Sequence, residues 1–453
     1  MYVSLRDKPA GDAPPAAGRV VARRVSSTVV LLGVVSLLTD VSSEMVASIM
    51  PLYLTAVVGL SPAAYGFWDG IYQGVSAVVR IAGGYAADRR EHPKLVAVLG
   101  YGVSALSRIA MLPAQGFAAI TAVTTADRLG KGLRTAPRDA LIAASSPPES
   151  LGRSFGVHRA LDTFGAALGP LVAFALLWTV PGSYDSVFVV SFGFATAGLA
   201  VLLLLVPNLR TATGTAAGAG DVRSEERSDE DGRSRADPRP ARAKRAPDGK
   251  ARVGLRRVVR EISGRKLRRP LLAAGLLGLL TVGDGFIYLS LQDRDDFAAL
   301  YFPLLYIGTN AVYLVLAVPF GRLADRVGRA RVLIGGHLAL VAGYLLAARP
   351  SGGLVSTLAV LALLGTFYAA TDGVLPALIS RLVPAETRGS GIAAAQTVVA
   401  LARFAASLGF GILWQLTGRG AALLVVAAAL LAAIPAAAWL LRGISHERKV
   451  GTA

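Results

Sequence analysis

Asp127, Arg128, Lys131, Arg134, Arg138 and Asp139 stand inside an otherwise spanning apolar stretch that runs from Gly116 to Ala144. A charge at the centre of a lipid-facing helix costs about 2.5–3.5 kcal/mol, so a set of this size cannot face lipid. Asp127, Lys131, Arg134 and Arg138 are spaced four, three and four apart, which stacks them on one helix face along about 16 Å. That face must line water or meet another helix. Two readings stay open. One is salt bridging inside the membrane, with Asp127 to Lys131 as the obvious pair. The other is a cavity whose surplus of positive charge receives an anionic or zwitterionic substrate, or one carrying an acidic group.

Asp40 and Glu44 lie one turn apart in the stretch Ser27 to Val57. Two carboxylates on one face in a low dielectric cannot both be charged cheaply, which suits a proton carrier. Arg128, approaching from the fourth span, would set which state is favoured; a fixed bridge between the first and fourth spans is the alternative. Asp284 and Asp372 join the candidate cavity with Asp127, Lys131, Arg134 and Arg138. Asp69, Arg80, Arg108 and Arg403 are further intramembrane or membrane-edge charges without an assignable partner.

Enzyme chemistry finds little footing. The chain has no cysteine and four histidines, with no His-x-x-x-His pair, so neither thiolate nor metal-ligand spacing is present. No Ser/His/Asp spacing stands out. Leu129-Gly130-Lys131-Gly132 lacks both the earlier glycine and the Ser/Thr of a phosphate-binding loop. The expectation is a protein that is not an enzyme, holds no metal or cofactor, and draws on a proton gradient.

The elements that position these residues are membrane spans. A chain of 453 residues that is 53% hydrophobic, with mean hydropathy +0.54, is too apolar for a soluble two-domain protein. Hydropathy and Gly/Pro punctuation predict spans near Ser27 to Val57, Pro62 to Ala87, Lys94 to Leu112, Gly116 to Ala144, Arg153 to Val180 and Asp185 to Val206. Six more fall near Pro270 to Gln292, Phe297 to Ala324, Val332 to Ala348, Gly352 to Arg381, Gly389 to Thr417 and Ala421 to Leu441. The predicted domains are therefore a tail over 1–25, a bundle over 26–206, a linker over 207–269, a bundle over 270–442 and a tail over 443–453. The linker is rich in Gly, Ser and mixed charge and reads as unfolded. Its last part, 252–269, alternates Arg/Lys with Val258, Val259 and Ile262; a helix lying on anionic lipid and a solvated basic linker both remain open.

The formal charge of +18 could suggest nucleic acid, but its distribution favours membrane topology. Arginine and lysine gather in the N-terminal tail, after the even-numbered spans and at the C-terminus, whereas the opposite loops hold little beyond Arg294, Arg349 and Arg419. The positive-inside rule then places both termini and the linker in the cytoplasm, in a plasma or inner membrane. The expected partners are a small-molecule substrate, protons and lipid, with the protein a monomer and no nucleic acid bound.

The chain is also duplicated. One offset carries Gly84 onto Gly321, Asp88 onto Asp325, Pro147 onto Pro384 and Gly152 onto Gly389, so two six-span halves repeat one design. Gly321-x-x-x-Asp325-Arg326-x-Gly328-Arg329 and its shorter copy Gly84-x-x-x-Asp88-Arg89 resemble the loop signature of the major facilitator superfamily. In the first copy Glu91 stands where glycine is expected. The resemblance covers nearly the whole chain apart from the N-terminal tail and the linker. It implies an all-α polytopic protein of twelve helices in two pseudo-symmetric bundles, with the aspartates of both loops as gating latches. Arg128-Leu-Gly-Lys131-Gly132 is similar to the fourth-helix Arg-x-x-Gln-Gly pattern of proton-coupled members, with Lys131 in place of glutamine. Gly165-x-x-x-Gly169-Pro170 is similar to an antiporter motif, although plain helix packing would also explain it.

The leading expectation is a secondary transporter working by alternating access, a proton-coupled exporter of a drug or metabolite resembling the drug:proton antiporter-like groups. An importer or exchanger of an anionic metabolite is the alternative within that class. A transport-inactive membrane receptor or scaffold is the alternative outside it, disfavoured because it has no reason to retain costly charges in both halves.

Overall fold

The computed structural model describes residues 25–89, 93–147, 150–208, 264–383 and 388–442, and these are helical apart from short connections. The first bundle holds α1 (Ser27–Leu52), α2 (Pro62–Arg89), α3 (Pro93–Ala110), α4 (Gly116–Ala144), α5 (Leu151–Thr179) and α6 (Tyr184–Leu204). The second holds α7a (Arg265–Leu279), α7b (Asp284–Asp295), α8 (Phe302–Val327), α9 (Arg329–Ala347), α10a (Leu354–Thr371), α10b (Val374–Ile379), α11 (Arg388–Thr417) and α12 (Arg419–Leu440). Counting each interrupted span once, the described residues are consistent with the twelve expected. Nine helical stretches among them are long and apolar enough to cross a membrane by composition alone. α4 is not one of the nine, because its ionisable residues exceed what a lipid-facing span tolerates.

Two expected spans are interrupted. The span predicted over Pro270 to Gln292 begins at Arg265 and stops at Leu279, and the chain restarts as α7b with Gly283 extended at φ −63° and ψ 143°. Tyr344 replaces the lost helical bonds: its hydroxyl accepts from the Val282 N–H at 2.8 Å and donates to the Leu280 carbonyl at 3.3 Å. The span predicted over Gly352 to Arg381 is interrupted at Asp372 and Gly373. Pro376 has no N–H for the Asp372 carbonyl four residues back, which accounts for the break. α1 carries a similar device. Pro51 leaves the Ala47 carbonyl without its helical donor, and the helix widens into a π-turn over Tyr53–Val57.

Close backbone approach sets the packing. Gly165 and Gly169 seat α5 against α1: a Cβ on Gly165 would lie 2.4 Å from the Leu37 carbonyl, and one on Gly169 2.8 Å from the Met45 nitrogen. Gly100 and Gly130 bring α3 and α4 together in the same way, each blocking a Cβ on the other with its carbonyl. Small residues at helix crossings allow this approach where no hydrophobic force drives helices together in lipid.

The two bundles meet at one end of the molecule. The distal end carries the connections at 58–61, 111–115, 180–183, 296–301 and 348–353; the linker end is where α6 and α10b stop and α7a and α11 start. Across the distal end Tyr65 packs on Phe286 with ring centroids 4.7 Å apart, and Phe286 continues to Phe410 at 4.9 Å and Trp414 at 5.7 Å. Phe174 stacks on Tyr301 at 6.1 Å. α2 and α11 run along each other, and a Cβ on Gly66 would meet the Ser407 carbonyl at 2.4 Å. These contacts close the distal side. The tails over 1–24 and 443–453, and the linker over 209–263 with most of its basic segment, lie outside the described residues.

Candidate central cavity

Beneath the aromatic closure lies a cavity of about 350 Å³ lined from both bundles. α1 contributes Glu44, Ala47 and Pro51; α2 contributes Tyr65, Trp68, Asp69, Tyr72 and Gln73; α4 contributes Arg128 and Lys131. From the other bundle come Asp284, Gly285 and Tyr306. Tyr65, Trp68 and Tyr72 recur at helical spacing and form a shelf, with stacked rings 5.9 Å and 5.3 Å apart. The Trp68 indole N–H donates to Thr124 at 2.9 Å, which fixes the shelf against α4. Arg128 lies over the Tyr72 ring at 3.9 Å, a favourable cation–π position.

Behind Arg128 is the tightest ionic cluster of the described residues. Asp127 accepts from Arg108 of α3 at 2.8 Å and from Arg128 at 2.5 Å, all three being at most 4% exposed. Arg108 also reaches Ser43 of α1 at 3.0 Å. The expected Asp127 to Lys131 pair is therefore replaced by a bridge across α3 and α4. The Gly100 and Gly130 contact is what draws α3 close enough for Arg108 to compete.

The basic face of α4 divides among several neighbours. Lys131 lines the cavity and has no hydrogen-bond or ion-pair partner among the described residues; Asp40 and Glu44 are the carboxylates whose charge it feels. Arg134 turns to α3, with its guanidinium over the Tyr101 ring at 4.5 Å and one nitrogen buried without a partner. Arg138 pairs with Asp139 at 3.1 Å and Asp162 at 3.6 Å and donates to Ser36 at 3.3 Å. Of the residues expected in the cavity, Lys131 and Asp284 line it, whereas Asp127, Arg134, Arg138 and Asp372 do not.

Asp40 and Glu44 part company. Glu44 lines the cavity beside Arg128. Asp40 turns to α5, where its carboxyl stands beside that of Asp162, itself paired with Arg159 at 3.1 Å. The expected bridge from Arg128 to the first span is not made, since Asp127 occupies the guanidinium. On the same stretch His158 meets Ser36 at 2.9 Å.

Asp69, which the sequence left without an assignable partner, stands where the two bundles touch. Its carboxylate accepts from Ser407 of α11 at 2.5 Å, and it lies against Gly283 at the α7 break. Asp284 opens α7b beside it and accepts from Tyr368 at 2.6 Å. Arg403 lies above Tyr368 at 5.9 Å, and its charge reaches Asp69, Asp284 and Asp372. Asp372 is exposed at the α10 break, where Arg403 and Arg159 are the cations it feels.

The second repeated loop folds back on its own bundle. Asp325 pairs with Arg329 at 2.9 Å and Arg381 at 3.7 Å, Gly328 takes φ 110°, and Arg329 donates to the Ala377 carbonyl at 2.5 Å. Gly321 has open space around its Cα, and Arg326 is exposed. In the first copy α2 carries the backbone of Gly84, Asp88 and Arg89, but those side chains, with Arg80, lie outside the described residues. Gly165, Gly169 and Pro170 sit within α5, the two glycines in direct contact with α1.

Comparison with known proteins agrees with this architecture. The model of the Major Facilitator Superfamily matches residues 32–407 and, again, 300–452. An uncharacterized MFS-type transporter of Methanocaldococcus jannaschii is 29% identical over 405 residues, 87% of this chain and 90% of that protein. An uncharacterized protein of Mycobacterium tuberculosis is 30% identical over 177 residues, 39% of this chain and 43% of that one. Among solved structures, the nucleoside transporter NupG superposes with a TM-score of 0.73 at 11% identity, covering 92% of this chain and 99% of that chain. A POT family transporter in complex with 5-aminolevulinic acid gives 0.70 at 12% identity, covering 91% and 95%. A bacterial homolog of the human lysosomal transporter Spinster, inward-facing and unoccupied, gives 0.62 at 15%, covering 92% and 95%. These likenesses establish the fold. With two bundles closed at one end over a cavity lined from both, the chain is a multi-pass membrane protein and belongs to the major facilitator superfamily of transporters.

Proposed function

We propose that the protein is a proton-coupled secondary transporter that exports a small molecule by alternating access. The observation that carries the reading is the cavity of about 350 Å³, lined by costly ionisable groups of both bundles and closed on the distal side by the Tyr65, Phe286 and Phe410 stack. A site reached from one end at a time is what alternating access requires. Charges held at such depth are retained for transport rather than for stability. The arginine distribution supports a cytoplasmic linker end, so this conformation faces inward. The export direction rests on the likeness of Gly165 to Pro170 to an antiporter motif.

For the coupling proton, the contacts support Asp40 with Asp162. Two carboxyls brought together in a low dielectric are held most cheaply by one shared proton, and this pair joins α1 to α5 next to Arg138. Movement of Arg138 toward or away from the pair would then release or retain that proton. Glu44, placed in the cavity with Arg128, links proton to substrate. The test uses proteoliposomes containing an internal pH dye and an imposed proton gradient. Addition of a transported compound should drive proton flux in the parent and none in Asp40→Asn, while exchange of labelled for unlabelled compound without a gradient persists. Full gradient-driven flux by Asp40→Asn and by Asp162→Asn would refute the assignment, with Glu44 and Asp69 then next in line.

A further inference from the structure

The cavity walls carry opposite unmatched charges. On the α4 side Arg108, Arg128, Lys131 and Arg134 are opposed by Asp127 and Glu44, because Asp40 is engaged with Asp162, which already faces Arg138 and Arg159. Two cations are left over: Arg134 lies over the Tyr101 ring away from the open space, and Lys131 borders it. On the α7 side Asp69 and Asp284 border the same space and enter no ion pair among the described residues. Arg403, the cation that reaches them, is shared with Asp372. A surplus of positive charge therefore faces a surplus of negative charge across a cavity of about 350 Å³, and each surplus is costly while it has no partner.

The separation persists because the two sets stand on different elements. Asp69 is tied to Ser407 and Asp284 to Tyr368, whereas Arg128 is tied to Asp127. Between the walls runs the Trp68 and Tyr72 shelf, which offers a flat apolar surface.

We infer that the cavity receives a small zwitterion, its ammonium group on Asp69 and Asp284, its acidic group on Lys131, and its body on the Trp68 and Tyr72 shelf. This deepens the transporter reading and rests on it. A ligand with only a cation leaves Lys131 unmatched, and one with only an anion leaves the carboxylates of Asp69 and Asp284 unmatched, so neither satisfies both walls.

The test is thermal stabilisation of the purified full-length protein by a panel at millimolar concentration. The panel holds aromatic amino acids, dipeptides and tripeptides as zwitterions, their amides as matched cations, and their N-acetyl forms as matched anions. At least one zwitterion should raise the melting temperature, with its amide and its N-acetyl form each weaker by about tenfold or more in affinity. Lys131→Gln should reverse the order toward the amide, and Asp284→Asn toward the N-acetyl form. Because each variant is compared with itself across ligands, a general loss of stability does not imitate that reversal. Stabilisation by amides alone, by N-acetyl forms alone, or by no member of the panel overturns the inference. The transporter reading is judged separately, by exchange of the stabilising compound across a liposome membrane. Amides alone that both stabilise and exchange would leave transport standing while removing the zwitterion, whereas a stabilising zwitterion that never exchanges would do the opposite.

Discussion

Replacing Asp127 by asparagine removes the one carboxylate between Arg108 and Arg128 while keeping side-chain shape. Both guanidiniums bond it, at 2.8 Å and 2.5 Å, and all three residues are at most 4% exposed. Solvent cannot screen the two cations once the anion is gone. Breaking a buried pair on one side costs about 3–5 kcal/mol, most of it from the charge left behind. For a cooperative unit the size of one six-helix bundle, that is a fall of roughly 10 °C in the melting midpoint. The assay is thermal denaturation of the detergent-purified protein, followed by tryptophan fluorescence and by retention of the monodisperse peak. Arg108→Gln in the Asp127→Asn background should recover part of the loss, because one unmatched cation is removed with the anion. A double-mutant cycle should show coupling of about 1 kcal/mol or more. If Asp127→Asn melted within about 2 °C of the parent, the bridge would not hold α3 to α4 and the reasoning about buried charge would fail.

Other expectations follow from the same contacts. Gly165→Ala should destabilise by about 1–3 kcal/mol, since its Cβ would meet the Leu37 carbonyl. Gly409→Ala, with nothing within 4 Å, should be neutral in the same melting assay. Asp325→Asn should leave the fold intact, because its pair with Arg329 is more than half exposed on the aspartate side and such pairs contribute about 1 kcal/mol or less. It should nonetheless slow transport if the loop gates the linker end, which initial rates of uptake in proteoliposomes would show. Single cysteines placed in this cysteine-free chain at Gly182 and Arg326 should be labelled by an impermeant reagent from outside and inside the cell respectively. The reverse pattern would invert the topology.

Much of the architecture is legible in the sequence because membrane physics leaves few choices. Apolar runs of spanning length, one offset linking Asp88 to Asp325, and arginine on one set of loops together specify two six-span halves. The breaks in the seventh and tenth spans are less visible, since a hydropathy window averages over Gly283 and Pro376. Their signals are present as Gly283-Asp284 and as a proline four residues after Asp372. Within α4, helical spacing groups Asp127, Lys131, Arg134 and Arg138 on one face. It could not say which neighbour each would meet, because that depends on how closely Gly100 and Gly130 let α3 approach. Asp69 shows the limit most clearly. Its importance comes from Ser407, 338 positions away in the chain, and from the α7 break, neither of which local pattern reveals.

Alternating access is tested most directly by two distances measured in the same preparation. Spin labels on cysteines replacing Phe174 and Tyr301 report the distal closure, where the two rings stack at 6.1 Å; labels at Phe155 and Arg326, both exposed near the linker end, report the other side. Pulsed dipolar spectroscopy in lipid nanodiscs, with pH and added zwitterion varied, should find two populations in which one distance lengthens as the other shortens. Distances that stay fixed under every condition, or that move in the same direction, would contradict the account.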